Sequence, residues 1–170
     1  MNQTAEPIHE VVLNPGDFHF SGGRTRIATL LGSCVSITLW HPRRRIGGMC
    51  HYMLTERRRA GPHKLDGRYA NEAFEMFLHQ VEKAGTRPGE YQAKLFGGGN
   101  MFVGGSSGRM DIGLRNIEYG RELLASRHIA LVAEHVGGSG RRKLNFELWS
   151  GHVWLSFPEG SGAQVRSFNG

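Results

Sequence analysis

Cysteine is scarce in this 170-residue chain: only Cys34 and Cys50 occur, far apart. That excludes a disulfide framework and the closely paired thiolates of a zinc module, and it fits a reducing cytoplasm. No run of about 18 apolar residues is present, so no membrane insertion is expected. The start, Met1-Asn2-Gln3-Thr4-Ala5-Glu6-Pro7, has neither the basic nor the apolar part of a signal peptide. The glycine run Gly97-Gly98-Gly99 is not followed by the lysine and hydroxyl of a phosphate-binding loop. Helix-turn-helix, zinc-finger and base-stacking signatures are also missing, so nucleic acid is not an expected partner despite the basic charge.

Arginine and glycine are abundant. The net charge is +6, with triplets at Arg43-Arg44-Arg45 and Arg57-Arg58-Arg59. Such charge serves solubility, or it draws in an acidic partner through its field. The 25 glycines imply tight turns and close backbone approaches. With no internal repeat, the pattern gives a flexible N-terminus (1–10), one domain (11–157) and a frayed C-terminal tail (158–170). Short strands are expected at His9–Asp17, Phe18–Phe20, Arg26–Leu31, Tyr91–Phe96, Ile129–Val136, Lys143–Trp149 and His152–Phe157, the last two forming a hairpin. Helical spacing of Ala70, Ala73, Phe74, Phe77, Val81 and Ala84 predicts a helix over 69–84, with Glu72, Glu75, Gln80 and Glu82 outside. A second helix is expected over 117–127, capped by Asn116, with Ile117, Leu124 and His128 inward. Thr55–Asp66 and Gly104–Gly108 read as mobile connections. The fold class is mixed α/β: a mostly antiparallel, single-domain layered sandwich with two helices.

One hairpin carries the chemistry. Cys34 to Trp40 alternates as a half-buried strand, with Val35, Ile37 and Leu39 on one face and Cys34, Ser36, Thr38 and Trp40 on the other. Its return arm runs from Ile46 to Leu54. Folding the arms about the Pro42–Arg43 bond sets Cys34 opposite His51 and Val35 opposite Cys50. Facing side chains of an antiparallel pair share a face, close enough for a thiol and an imidazole to hydrogen-bond. A one-residue slip, as from a bulge at Gly47-Gly48, would separate them. Gly32 and Ser33, just ahead of the cysteine, allow a bend that aims amide hydrogens at a carbonyl oxygen, as an oxyanion hole requires.

Three other readings compete. Cys34 could be a small buried hydrophobe. Cys34, His51, His41 and His63 could hold a metal, although only two of them share a face. The arginines could serve a non-catalytic binding protein for an acidic partner, nucleic acid included.

Five segments together resemble a known family: Leu31-Gly32-Ser33-Cys34-Val35, His51, Phe96-Gly97-Gly98-Gly99-Asn100-Met101-Phe102, Gly113-Leu114-Arg115-Asn116-Ile117-Glu118 and Val136-Gly137-Gly138. Their identity and order are similar to the chemoreceptor glutamine deamidases of bacterial chemotaxis, the CheD family. The resemblance implies hydrolysis of receptor glutamine side chains to glutamate and ammonia in the cytoplasm, with no cofactor or metal. It also implies a three-layer arrangement like the catalytic domain of glutamine-deamidating toxins. Implied partners are the cytoplasmic helices of chemoreceptors and a CheC-type phosphatase. By position, Cys34 takes the nucleophile's place and His51 the general base's. The family's third residue is a threonine whose spacing falls on Ala28 here, with Thr29 one residue nearer. A glutamine carboxamide is a poor electrophile, so a thiolate lowered by an adjacent imidazolium is expected, and Arg57, Arg58 and Arg59 are expected to steer acidic receptor helices to the site.

Overall fold

The structure, a computed structural model, describes residues 5–58, 61–101, 111–159 and 162–170. An outer sheet holds β1 (His9–Leu13), β3 (Thr25–Leu31), β8 (Arg142–Glu147), β9 (Val153–Glu159) and β10 (Gly162–Phe168), side by side in that order. A middle sheet holds β2 (Phe18–Ser21), β5 (Ile46–Cys50), β4 (Val35–His41), β6 (Gln92–Gly97) and β7 (Ala130–Val136), again in order across the sheet. Only β1–β3 and β6–β7 run parallel among these pairs. Helices α1 (Ala70–Lys83) and α2 (Ile112–Ser126) cover the far face of the middle sheet. The result is three layers, sheet on sheet on helices, in a mixed α/β and mostly antiparallel domain as the pattern predicts.

Two apolar cores follow. Ile27, Leu31, Leu144, Phe146, Val153 and Leu155 of the outer sheet meet Trp40, Met49 and Phe96 of the middle sheet. On the other side Val35, Ile37, Leu39 and Leu95 meet Phe74, Phe77, Val81, Ile117 and Leu124 of the helices. Each large apolar side chain so buried contributes roughly 1.5–3 kcal/mol. Because the middle sheet is covered twice, every residue of β4 is buried, where alternation alone suggested a half-exposed strand.

The hairpin register differs from the expected one by two residues. Thr38 pairs with Met49, His41 with Ile46, and Val35 bridges Tyr52. The turn takes in residues 42–45, with Arg45 in the left-handed region (φ 52°) and its amide bonded to the His41 carbonyl at 2.8 Å. No bulge interrupts Gly47 and Gly48. A Cβ on either would strike the carbonyl oxygen of Leu39 or His19, so glycine lets three strands close up there. A shift of two preserves which face each residue takes. Cys34 is therefore diagonal to His51 rather than directly opposite.

Other differences have local causes. Helix α2 begins earlier than expected, because Asp111 accepts from the Leu114 amide at 3.0 Å and caps it. Asn116 is thus buried in the second turn instead of capping, and His128 is exposed just past the end with φ 55°. Glu72 is buried, not outside; Arg57 Nε donates to it at 2.6 Å and the Asp66 amide at 3.0 Å, tying down part of the 55–66 segment. β7 is an edge strand of alternating exposure, not a buried one. The expected tail contains β10, which pairs with β9. It is held from within by Phe168 against Phe96 (centroids 5.3 Å apart) and by Lys94 Nζ, which donates to the Phe168 and Gly151 carbonyls at 3.0 and 2.8 Å. Burial pushes that lysine down to about 8. The expected Gly104–Gly108 connection lies outside the described residues.

Candidate active site

The site is assembled from both sheets. Thr29 is the third inward residue of β3, and its parallel neighbour is Leu13 at the end of β1. The Thr29 hydroxyl donates to the Leu13 carbonyl at 2.8 Å. Its single proton is then spent, so its 2.7 Å contact with His51 Nδ1 requires the ring to donate. His51 therefore carries its proton on Nδ1 and presents a lone pair at Nε2. That Nε2 is buried and has no partner among the described residues. The His51 carbonyl accepts from the Gly16 amide at 2.8 Å, fixing the backbone as well. Burial pushes the imidazole down to about 4, against an opposing pull from Asp17. Ala28, which the family spacing selects, takes the opposite face of β3 from Thr29 and lines a cavity of about 650 Å³ on the outer sheet.

Cys34 ends the Gly32-Ser33-Cys34 loop between β3 and β4. The Gly32 carbonyl accepts from Gly99 N at 3.0 Å and the Cys34 carbonyl from Gly98 N at 2.9 Å. The Ser33 carbonyl accepts from Asn116 Nδ2 at 3.4 Å. With its carbonyls engaged, the loop leaves the amides of Ser33 and Cys34 without an acceptor among the described residues. The Gly97–Gly99 run is thus a backbone platform beneath the cysteine. The Cys34 side chain is half-buried and packs against the inter-sheet core, the side on which Thr29 holds His51. Burial pushes its thiol up. Burial thus favours the neutral thiol and the neutral imidazole over the thiolate and imidazolium expected from the chemistry alone. Cys50 is buried in the helix-side core, its thiol pushed up to about 12.

Arg57 is committed to Glu72 and lies over the Tyr69 ring at 5.1 Å; Arg58 is exposed; Arg59 lies outside the described residues. His41 is buried beside Tyr91 and 3.5 Å from Glu90. Among the described residues no three His, Cys, Asp or Glu side chains converge to hold a metal, and no helix is long and apolar enough to cross a membrane. Sequence reasoning missed the Leu13 carbonyl and took Asn116 for a cap. An amide side chain among Gly113, Ile117 and Gly120 on one helix face was the available signal.

A family model described as CheD chemotactic sensory transduction matches residues 53–157, more than half of the chain. The chain belongs to the CheD family. That match begins two positions after His51, but full-length relatives extend across Thr29, Cys34 and His51. A protein of Dechloromonas aromatica named "Probable chemoreceptor glutamine deamidase CheD 3" is 65% identical over all 170 residues, covering 100% of both chains. A Pseudomonas savastanoi protein named "Probable chemoreceptor glutamine deamidase CheD" is 48% identical over 154 residues, 87% of this chain and 84% of the relative. A Leptospira interrogans protein, "Probable chemoreceptor glutamine deamidase CheD 1", is 37% identical over 162 residues, 91% and 96% of the two chains.

Two expectations for this CheD-family site follow from its hydrogen bonds and its burial. Thr29→Val keeps the shape but leaves the Leu13 carbonyl and the His51 Nδ1 proton unpaired, which costs about 1–3 kcal/mol. The imidazole is then free to rotate and change tautomer. Steady-state kinetics should show kcat falling by roughly 100-fold while the protein still folds.

The second concerns pH. Read as a general base, His51 works when unprotonated, and burial holds its imidazole down to about 4 in the folded chain. Activity should therefore hold as pH falls through 6 and 5, and drop only near 4. Stability behaves differently. Unfolded, the imidazole takes its proton near 6.5, so between 6.5 and 4 the unfolded chain binds a proton that the folded chain refuses. His51 thus lowers stability as pH falls across that window, and the loss levels off below it. Urea midpoints measured from pH 7 to 4, with His51→Gln lacking this component, check the sign.

Proposed function

We propose that this chain hydrolyses glutamine side chains of chemoreceptors to glutamate, releasing ammonia and so adjusting the receptors' methylation sites. The observation that carries the mechanism is the Leu13–Thr29–His51 chain of hydrogen bonds, which leaves the imidazole with an unpartnered Nε2 on the side where Cys34 packs.

Cys34 is the nucleophile. As its sulfur bonds to the carboxamide carbon, His51 Nε2 takes the thiol proton, so no resting thiolate is needed. The oxygen of the tetrahedral intermediate gathers negative charge beside the amides of Ser33 and Cys34. Collapse of the intermediate breaks the carbon–nitrogen bond. The imidazolium hands its proton to the departing nitrogen, giving ammonia and a thioester on Cys34. Nε2 then takes a proton from water as the water oxygen attacks the thioester. The proton returns to sulfur as glutamate leaves. Thr29 holds the ring throughout and is a positioning residue. No cofactor or metal is required by these steps.

The test is incubation with a receptor cytoplasmic fragment, with mass spectrometry to locate glutamine-to-glutamate conversion and an assay for ammonia. Conversion at discrete glutamines supports the reading; an inert protein with a correctly folded site overturns it. A cytoplasmic location belongs to the reading, since receptor methylation helices lie there and two free thiols stay reduced there. So does a CheC-type phosphatase as partner. If it occupies the face used by receptor, adding it should raise the apparent KM for the receptor fragment, and an unchanged KM would remove it from the reading.

A further inference from the structure

Asn116 sits in the second turn of α2, 1% exposed, among apolar neighbours. Its Nδ2 donates to the Met53 carbonyl at 2.9 Å and to the Ser33 carbonyl at 3.4 Å. Both neighbours are acceptors, so the amide can be turned only one way, with its NH₂ facing them. The Asn116 main-chain carbonyl accepts from the Tyr52 hydroxyl at 2.6 Å. Gly120, one turn on, makes room for that hydroxyl, which a Cβ there would strike. Tyr52 in turn exchanges both backbone hydrogen bonds with Val35, each at 3.0 Å. Ser33 and Val35 flank Cys34; Tyr52 and Met53 directly follow His51.

The Oδ1 of Asn116 is buried with no partner among the described residues. A buried acceptor left unpaired costs roughly 1–3 kcal/mol, a loss that leucine of nearly the same size would avoid. Packing therefore does not account for an amide here, whereas its two donors do. We infer that Asn116 is a positioning residue of the deamidation site: its amide clamps the loop that presents Cys34 to the strand exit that presents His51 and sets their approach. This rests on the reading of those two residues as the reacting pair.

The experiment compares Asn116→Leu with Tyr52→Phe. The leucine variant removes the clamp and the unpaired oxygen together. The phenylalanine variant loosens the same helix–strand contact without touching the Ser33 or Met53 carbonyls. Expected for Asn116→Leu on a receptor fragment are a melting temperature close to wild type, because removing the unpaired oxygen offsets the two carbonyls left without a donor, with KM within about twofold and kcat lower by about 10- to 100-fold. Tyr52→Phe should melt lower yet keep kcat within about threefold. If Asn116→Leu folds and retains wild-type kcat, or if Tyr52→Phe loses as much, the clamp is overturned. Should the wild-type chain itself convert no glutamine, the parent reading fails. Alkylation of Cys34 by iodoacetamide then judges the clamp separately, with about tenfold slowing by Asn116→Leu supporting it and an unchanged rate rejecting it.

Discussion

Replacing Cys34 by alanine is expected to cut receptor deamidation by roughly 10⁴-fold or more, and His51→Ala by a similar factor. In the proposed mechanism base and nucleophile act as one unit, so the double variant should lose little beyond either single one. Cys34 is half-buried at the edge of the inter-sheet core, so alanine removes the sulfur with modest packing loss and the melting temperature should change little. Cys50→Ala provides the contrast. It opens a void in the helix-side core, lowers stability by about 1 kcal/mol, and leaves kcat near wild type. Initial rates for the four variants, with melting curves alongside, decide the matter. A multiplicative loss in the double variant would mean that the two groups do not cooperate.

Gly97→Ala should have the largest effect on the scaffold. Gly97 closes β6 with φ +106°, and a Cβ there would collide with the Cys34 carbonyl oxygen. Strain and collision add, so a loss of roughly 3 kcal/mol is expected, lowering the melting temperature by about 6–12 °C. The collision also displaces Cys34, so on the proposed mechanism kcat should fall even where the protein is fully folded. Gly137→Ala isolates the backbone part: φ is +77° but nothing lies within 4 Å of the new Cβ. It should cost only about 1–2 kcal/mol and spare kcat. Equal losses at both positions, by thermal melt and initial rate, would refute a steric role for the glycine platform.

Much of this was legible in the chain itself because period-two alternation is set locally. The faces of β4 and β5 follow from it, and a two-residue register error leaves them unchanged. The register itself was hidden, since it depends on Arg45 adopting a left-handed conformation that arginine seldom takes. Asn116 is a good cap by local chemistry, but tertiary partners recruited its amide and Asp111 took the cap. Glu72 fits the polar face of a helical wheel; Arg57 and the Asp66 amide, brought to it by the fold, make its burial tolerable. The protonation state of the thiol was unreadable for the same reason, because desolvation is a property of the packed domain.

Thr29 and the Leu13 carbonyl belong to one sheet, while Cys34 and His51 flank strands of the other. On the proposed mechanism, turnover consequently reports how the two β-layers are seated on each other. A molecule with both layers formed but slightly slid apart would keep its circular dichroism and lose its chemistry, so catalysis should vanish at a lower denaturant concentration than secondary structure does.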